Sequence, residues 1–476
     1  MRPPAEVAFS ERCVSTPGLC VVGEQLILPH NATAKLRRRL RTLLGRVHSP
    51  FDYHTNLFAG DRPTVLANAD GASYRYLPMA VVQPIRNRTE RQKFLTTQSA
   101  FELPQPRGDG LIFFTCWPSN PAEVFHRTVT LLHTIWPLVA RERSPALVPA
   151  TWNPRFEYWL APWLNAPASK RLKPMAPMPS VRDPWRLHTA KSAHLAHRYE
   201  QNAKRARAPP RCFARASVCD LSQEGTVAGL GRHAPWAAMQ AVMHHFAPAT
   251  PPPPPTTAEP AASCVLRVAF VERHRRRRLA NLEDLIAACN RWHRGHVSCS
   301  SISFGRGLPP VAQQLRGIDV LVSPHGADAI HALALRRGAW LLEVMPIHNR
   351  PNCPCDVFRA LLGAEKAVHY LRLSTTNRSY AAVPTVSGRA NVGTMHADLR
   401  VPWEAVRAAL EAIAAGTPTA EALPDATQLG ASAAGWRLLT SAGGASEERA
   451  IKEQQNRNFQ SAAIARRKRM AEGKAF

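Results

Sequence analysis

The chain has 476 residues, and 45% of them are hydrophobic, which is enough for two folded domains and excludes a largely disordered protein. No apolar run approaches the roughly 20 residues that a membrane-spanning helix needs. The formal net charge of +27 leaves a basic nucleic-acid-binding protein open as a hypothesis. However, no element interleaves aromatic with basic residues, so we expect the charge to reflect biased composition or to steer an anionic substrate.

One strand and one helix stand out in the N-terminal half. Leu111 to Thr115 (LIFFT) predicts a buried strand. Asn120 to Pro137 (NPAEVFHRTVTLLHTIWP) predicts a helix, because its apolar residues keep helical spacing and Pro121 suits a first turn. Residues 152–163 predict a strand followed by a loop, and the Pro-rich stretch over 161–185 predicts a long loop.

The clearest boundary is the segment 247–262 (APATPPPPPTTAEPAA), whose five consecutive prolines favour an extended polyproline II conformation. We therefore predict four parts of the chain. In order, they are an N-terminal lobe over 1–246, a Pro-rich linker or insertion over 247–262, a C-terminal lobe over 263–420, and a charged tail with a helix over 421–476.

Strand-like and helix-like segments alternate after the Pro-rich segment. The predicted strands are 265–271, 297–303, 319–323, 339–344 and 368–373. The predicted helices are 280–292, 309–317, 328–336, 355–364 and 402–414. Such alternation predicts an α/β fold with a parallel, doubly wound sheet, in which ligands bind beyond the carboxyl ends of the strands.

The stretch VLVSPHGADAIHALALRRGAWLLEVMP, from Val320 to Pro346, is typical of such a binding edge. Gly326 and Ala327 let a ligand approach the backbone, and the helix that follows points its free N–H groups at the turn, which suits a diphosphate. At the end of the next strand, Glu343 can accept hydrogen bonds from ribose or sugar hydroxyls. An alternative is that His325 simply caps the helix.

A basic turn follows the strand over 265–271 and carries Arg273, Arg277, Arg278 and Asn281. Guanidinium groups at the carboxyl end of a strand can clamp a diphosphate with charge-assisted, bidentate hydrogen bonds. The alternative is a solvated basic loop, which is our interpretation of the neighbouring Arg275 and Arg276.

Together these blocks resemble the glycosyltransferase 61 family, whose hallmark is a strand, the triplet His-Gly-Ala, a helix, and an apolar strand that ends in Glu and Pro. The residues that fall on this pattern are His325, Gly326, Ala327, Glu343 and Pro346. The family also has an Arg, a short gap and Arg-Arg-x-x-Asn, which Arg273, Arg277, Arg278 and Asn281 match. Segments 311–318 and 398–415 match two further pieces, so the resemblance covers 264–415.

This resemblance implies a GT-B-like α/β fold, with two Rossmann-type lobes whose parallel, doubly wound sheets face a cleft. It implies an inverting, metal-independent glycosyltransferase that needs no cofactor besides a nucleotide-sugar co-substrate, which we expect to be UDP-linked. The expected partners are this donor and a glycan or glycoprotein acceptor, with no nucleic acid. His331, where the family commonly has Asn, joins the expected donor-binding residues.

The acceptor side departs from the family. The family has Asn-x-x-His and, four residues later, an Asp that serves as general base. Aligned from Asn120, these positions hold Glu123 and Arg127, and an arginine with a pKa above about 12 cannot take a proton. We predict Glu123 or His126 as the catalytic substitute. The alternative is that both residues are ordinary and the protein is a catalytically silent nucleotide-sugar or glycan-binding protein.

Ten cysteines and three N-x-S/T triplets, at Asn31, Asn87 and Asn377, favour an oxidising compartment with disulfides. Zinc at Cys353 and Cys355 is the weaker alternative, because no CxxC pairs with another CxxC. We therefore expect the lumen of the Golgi or endoplasmic reticulum. No signal or membrane anchor is visible in this sequence, which keeps a cytoplasmic location open.

Overall fold

The computed structural model describes part of the chain. The described residues are 4–22, 25–28, 33–44, 65–67, 73–75, 81–84, 107–115, 121–140, 145–149, 154–164, 211–221, 234–248, 265–274, 277–293, 296–345, 358–359, 361–362, 367–375, 378–382, 398–416 and 436–440. The chain divides into two compact units, Met1–His245 (unit 1) and Phe246–Phe476 (unit 2). Both contain helices and a sheet with parallel strand pairs, so the fold is of the α/β class.

Unit 1 contains eight described strands, four described helices of α or mixed α and π type, and one described 3-10 helix. In chain order they are α1 (Pro4–Arg12), β1 (Cys13–Val22), β2 (Gln25–Leu28), α2 (Ala34–Leu44), β3 (Val65–Ala67), β4 (Ser73–Arg75), β5 (Val81–Pro84), β6 (Asp109–Thr115), a continuous helix α3 (Pro121–Glu123, Val124–Val129 and Thr130–Val139), β7 (Ala146–Pro149), a 3-10 helix (Pro154–Trp163), β8 (Arg211–Leu221) and α4 (Ala234–Phe246). The buried strand and the helix predicted near 111–137 are confirmed as β6 and α3.

The main sheet of unit 1 is mixed, with the strand order β5-β2-β1-β8-β6-β7. Strand β1 runs antiparallel to both of its neighbours, β2 and β8, whereas the other neighbouring pairs are parallel. The prediction of a purely parallel sheet is therefore wrong for this unit. The reason is that only two residues separate β1 from β2, and a parallel crossover needs a dozen or more.

Two disulfides join β1 to β8. Cys13 pairs with Cys219 and Cys20 with Cys212, with Cα–Cα distances of 4.1 and 4.0 Å. Each pair also faces its partner across the ladder in register, so the bridges clamp both ends of this strand pair. Cys13 and Cys20 therefore mark the two ends of β1, and Cys212 and Cys219 those of β8.

Residues 154–163 form a 3-10 helix rather than the predicted strand and loop. The signal for it is the spacing of Phe156, Trp159 and Trp163, which repeats at three and four residues and places large rings on one face. Trp159 is fully buried, with its ring centroid 4.8 Å from that of Phe125 in α3. Aromatic burial against α3 thus overrides the strand preference of this segment.

Unit 2 contains eight described strands. In chain order the elements are β9 (Leu266–Val271), α5 (Leu282–Arg291), β10 (Val297–Ile302), a 3-10 turn (Pro309–Val311), α6 (Ala312–Arg316), β11 (Val320–Pro324), a 3-10 helix (Ala327–Ala334), β12 (Trp340–Val344), β13 (His369–Thr375), a 3-10 turn (Arg378–Tyr380), β14 (Ala381–Ala382), β15 (Asp398–Leu399), α7 (Trp403–Ala414) and β16 (Trp436–Thr440). The five predicted strands are all confirmed, and the helix predicted over 328–336 is a 3-10 helix.

The main sheet of unit 2 has the order β10-β9-β11-β12-β13-β16, and its first five strands are parallel. After β9 the chain moves outward to β10, then returns to the other side of β9 to form β11. Strand order therefore reverses between β9 and β11, and the crevice beyond their carboxyl ends is where such sheets bind ligands. Strand β16, which was predicted to belong to a tail, adds an antiparallel edge next to β13.

Helices α5 and α7 cover the unit 2 sheet. Leu285 of α5 and Val406 and Leu410 of α7 are buried in one apolar cluster with Val268 and Val322 of the sheet. A third disulfide, Cys289–Cys299, ties α5 to β10. The 16 residues 247–262 lie outside the described residues except for 247 and 248, as do 447–476. Within the described ranges, no helix is both long and apolar enough to cross a bilayer.

Candidate functional site

The two sequence blocks singled out as a binding site meet at the switch point of the unit 2 sheet. Arg273 and Arg277 follow β9, and His325 follows β11. Each arginine donates a hydrogen bond from Nη1 to the backbone oxygen of His325, at 3.2 Å in both cases. Two guanidinium groups therefore converge on the turn that contains His325, Gly326 and Ala327. This convergence is the juxtaposition on which the predicted diphosphate site depends.

Gly326 is required at the centre of this turn. Its φ of 148° lies in a region that residues with a side chain rarely adopt. A Cβ atom built on it would also collide with Nη1 of Arg273 and lie 3.2 Å from Nη1 of Arg277. The missing side chain thus lets the guanidinium groups lie directly against the backbone. Ala327, the next residue, begins the 3-10 helix.

Arg277 itself has a strained backbone. Its φ of 56° is in the left-handed region, which is uncommon for a residue with a long side chain. Strain of this kind costs about 1–3 kcal/mol and tends to occur where a side chain must be held in a functional position. Here the strained residue is one of the two whose guanidinium group reaches the His325 turn.

The His325 ring is held by a buried network. Its Nδ1 lies 2.7 Å from Oε1 of Glu343 in β12, and the hydroxyl of Tyr370 in β13 donates to Oε2 of Glu343 at 2.6 Å. The ring of Phe358 packs edge-on against the imidazole, with centroids 6.2 Å apart. Because Glu343 is fully buried, this arrangement fixes both the position of the imidazole and the nitrogen that faces the carboxylate.

Glu343 consequently has a different position from the one predicted. It was expected to bind ribose or sugar hydroxyls, but its side chain is 0% exposed and each carboxylate oxygen has a protein partner. The prediction failed because β12 is buried on both of its faces. Glu343 is in register with the buried Ser323 of β11, so its side chain packs inside the unit. Glu343 supports His325 instead of reaching the crevice.

Asp328 forms an ion pair with one of the site arginines. Oδ2 of Asp328 lies 3.2 Å from Nε of Arg273, and about a quarter of the Asp328 side chain is exposed. Near a bound diphosphate this carboxylate would oppose the ligand's charge. In the structure it balances Arg273, so an anionic ligand would have to compete with it for this guanidinium group.

Arg278 and Asn281 make contacts that hold the chain together rather than lining the turn. Arg278 donates from its backbone N and from Nε to the buried carboxylate of Asp398, at 2.8 Å each. The amide of Asn281 donates to the backbone oxygen of Val401 at 2.7 Å and accepts from its backbone N at 3.0 Å. These contacts join the segment after β9 to the segment before α7, a correction to the predicted donor-binding roles.

His331 is also buried away from the turn. Its ring stacks on Phe304 with centroids 3.9 Å apart, and its Nδ1 donates to the backbone oxygen of Asp328 at 2.9 Å. Burial lowers the pKa of His331 to about 4, although Asp328 opposes this shift. The residue is therefore neutral at physiological pH, and the predicted contact with the donor has no support from its position.

In unit 1, the predicted catalytic residues lie in α3. Glu123 is buried, and its Oε2 accepts a hydrogen bond of 2.7 Å from Nε of Arg127. The residues from Val124 to Val129 are wound as a π-helix, a rare form that is frequent at functional sites. His126 lies in this segment and is half-buried. Arg127 thus forms a buried ion pair with Glu123, one helical turn away.

Sequence reasoning missed Tyr370 and Asp398. Tyr370 lies on a buried face of β13, and Asp398 precedes α7; both are buried polar side chains whose partners come from distant parts of the chain. The alternation of Leu371 and Leu373 in β13 places Tyr370 on the opposite face with Arg372, so no local pattern signalled its burial. Within the described residues, no group of three or more His, Cys, Asp or Glu side chains could hold a metal ion.

Comparison with known proteins adds no assignment. No family model matches the chain, and no curated protein matches it.

Proposed function

We propose that unit 2 binds the nucleoside diphosphate of a nucleotide-sugar donor, and that the protein is an inverting glycosyltransferase. The observation that carries this proposal is the convergence of Arg273 and Arg277 on the His325 turn at the switch point of a parallel sheet. Two guanidinium groups beyond the carboxyl ends of parallel strands suit a diphosphate. The resemblance over 264–415 specifies the reaction class, with a UDP-linked donor as the first candidate.

The site arginines would act on the leaving group. In an inverting transfer, an acceptor hydroxyl attacks the anomeric carbon while the bond from that carbon to the diphosphate oxygen breaks. The electron pair of that bond goes to the diphosphate, and the hydroxyl proton goes to a base. Arg273 and Arg277 would stabilise the charge that develops on the diphosphate, which is the role that electrostatic preorganisation serves in such sites.

The acceptor would be a glycan or protein hydroxyl, and Glu123 and His126 remain the candidates for its base. The buried ion pair between Glu123 and Arg127 specifically favours a second function, because Oε2 of Glu123 already accepts a hydrogen bond from Arg127. In that case the protein binds a nucleotide sugar or glycan without transferring it.

The three disulfides indicate folding in an oxidising compartment. We propose the lumen of the Golgi or endoplasmic reticulum, where nucleotide-sugar donors and glycan acceptors meet. The high net positive charge would also raise the association rate of an anionic donor.

Calorimetric titration with UDP tests the donor site. Arg277→Ala removes one charge-assisted hydrogen-bond donor, so we expect the dissociation constant to rise about tenfold or more. Arg407→Ala is the matched control, because Arg407 is half-exposed on α7 and pairs with Glu411 of the same helix. It lowers the net charge equally and should leave UDP binding within about twofold. Equal effects of the two substitutions, or no UDP binding by the wild type, would remove the diphosphate from this site.

Transfer and binding are separated by incubating the protein with UDP-sugars and measuring the release of UDP. Release that is lost in Glu123→Gln or His126→Gln identifies an enzyme and its base. Tight UDP binding without any release supports the silent binding protein. Affinity for mixed DNA or RNA with a steep salt dependence, and none for UDP, would contradict both functions.

A further inference from the structure

We propose that Tyr370 is a positioning residue, which acts through Glu343 to hold the His325 ring in one orientation with its proton on Nδ1. The role of the ligand rests on the proposed donor site, whereas the state of the His325 ring does not. The chain of contacts runs from the Tyr370 hydroxyl to Glu343 Oε2, and from Glu343 Oε1 to His325 Nδ1, over 2.6 and 2.7 Å.

The direction of each hydrogen bond follows from the chemistry of the three groups. A phenol donates to a carboxylate, and an ionised carboxylate can only accept, so Glu343 accepts from both neighbours. Nδ1 of His325 must therefore carry a hydrogen in the neutral ring and in the imidazolium alike. The two forms of the ring differ only at Nε2, and the chemistry available to a ligand depends on that single atom.

Tyr370 is needed because Glu343 alone could present either of its carboxylate oxygens to His325. A carboxylate with one partner can turn about its last torsion, whose well is broad, and can present either oxygen to His325. The Tyr370 hydroxyl occupies Oε2 and removes this freedom. Both residues are buried, so water does not replace the lost partner at low cost. The sheet places His325, Glu343 and Tyr370 side by side in this order, since β11, β12 and β13 are neighbouring strands.

Among the described residues, charged groups near this chain of contacts lie on adjacent elements, and Arg372 of β13 is in register with Glu343. Arg273 and Arg277 lie on the backbone oxygen of His325, Asp328 faces Arg273, and Phe358 packs against the imidazole ring. The arginines hold the backbone of His325, while Glu343 and Tyr370 hold its ring. Two independent sets of contacts thus fix a single residue, as expected where an imidazole must meet a ligand in one orientation.

The test is nitrogen NMR of protein labelled with 15N-histidine, without any ligand, with the His325 signals assigned by their loss in His325→Gln. We expect the wild type to show the Nδ1–H form whenever the ring is neutral. A neutral ring with its hydrogen on Nε2 overturns the proposal, and this measurement needs no variant to fold.

Two substitutions make the NMR test specific for the role of Tyr370. In Glu343→Gln, the Tyr370 hydroxyl keeps the amide oxygen, so the amide nitrogen faces His325 and the neutral ring should change to the Nε2–H form. In the double variant with Tyr370→Phe, the amide is free to turn its oxygen towards Nδ1–H. The neutral His325 ring should then return to the Nδ1–H form. Tyr380→Phe, whose ring packs against Trp436, is the matched control for loss of a hydroxyl and should leave the His325 signals unchanged.

In UDP titrations, Tyr370→Phe should weaken binding about tenfold, as loss of an outer-shell partner typically does at metal-ligating histidines. Wild-type signals and wild-type affinity in Tyr370→Phe would overturn the positioning role. Failure of the wild type to bind UDP would overturn the proposed donor site only, because the ligand-free spectra still report on the His325 ring.

Discussion

The two units each bury a glutamate at a position that the sequence marked as functional, yet the two glutamates have different partners. Glu123 of unit 1 pairs with Arg127, one helical turn away, while Glu343 of unit 2 binds His325 and Tyr370 from neighbouring strands. A guanidinium group stays charged at every physiological pH, so Arg127 itself cannot exchange a proton with a substrate. An imidazole can gain or lose a proton, so the unit 2 pair can take part in chemistry.

The units also differ in how they are held together. Unit 1 has a mixed sheet with two disulfides between distant parts of the chain, whereas unit 2 has a mainly parallel sheet with a short-range disulfide. A ligand crevice at a switch point needs the parallel arrangement, and unit 2 has it. The comparison therefore favours unit 2 for the proposed donor binding, whereas two of the three disulfides of the described residues reinforce unit 1.

The largest expected effect is the joint loss of both unit 1 disulfides. Their sequence separations are 206 and 192, so either bridge alone already closes the long loop, and the second closes only a short one. By chain entropy, replacing one pair with serine costs about 3 kcal/mol of unfolding free energy, while replacing both costs about 8 kcal/mol. Urea unfolding of the three variants measures this.

Replacing Cys289 and Cys299 of unit 2, which are 10 residues apart, is the control and should cost about as much as a single unit 1 pair. A four-cysteine variant that loses no more than the sum of the two single-pair losses would contradict the closed-loop explanation and remove this difference between the units.

The next effect concerns the glutamate of unit 1. Glu123→Leu leaves Arg127 buried without its partner, which costs about 3–5 kcal/mol, whereas Glu123→Leu combined with Arg127→Met should restore most of the stability. Urea unfolding checks this, and sugar transfer by the double variant checks the chemistry. If the double variant still transfers sugar, the Glu123–Arg127 pair is structural. If a stable double variant has lost transfer, Glu123 is the base, and the two buried glutamates no longer differ in having a chemical role.

The smallest effect is the pH dependence that His331 gives to unit 2. Burial lowers the pKa of His331 to about 4, below its ordinary value of 6.5, so the unfolded chain takes up a proton more readily. The contribution of neutral His331 to the free energy of unfolding is complete above pH 6.5. It declines as the pH falls towards 4, by up to about 3 kcal/mol. Urea unfolding between pH 7 and 4 measures it.

His331→Leu should flatten this part of the pH profile relative to the wild type, and His296→Ala, at an exposed position, should not. Parallel profiles for wild type and His331→Leu would mean that the histidine is as easily protonated in the folded protein as in the unfolded one.

The sequence predicted the unit 2 elements closely because their signals are local. Apolar runs of five to seven residues alternate with amphipathic segments, and Gly326 marks the sharp turn. Unit 1 was harder, because the orientation of β1 depends on a partner strand about 200 residues away, which no local pattern reveals. The segment 154–163 was misread for a related reason, since its conformation depends on the burial of Trp159 against α3.

At the site, residue types identified the binding turn but not which side chains reach it. Arg273, Arg277 and His325 come together as predicted from their positions at the ends of adjacent strands. Arg278, Asn281 and Glu343 carry equally suitable chemistry, but their partners are Asp398, Val401 and Tyr370, which lie far along the chain. Distinguishing the two groups requires knowing which residues meet in space.

The pairing of β1 with β8 has a consequence for biosynthesis. β1 leaves the ribosome before β8, and Cys219, the covalent partner of Cys13, follows 206 residues later. At about 5–20 residues per second, this delay is on the order of ten to forty seconds. During this time Cys13 and Cys20, seven positions apart, carry free thiols that can oxidise with each other. Correct maturation in the secretory pathway therefore favours an isomerase that acts on the nascent chain until Leu221 has emerged.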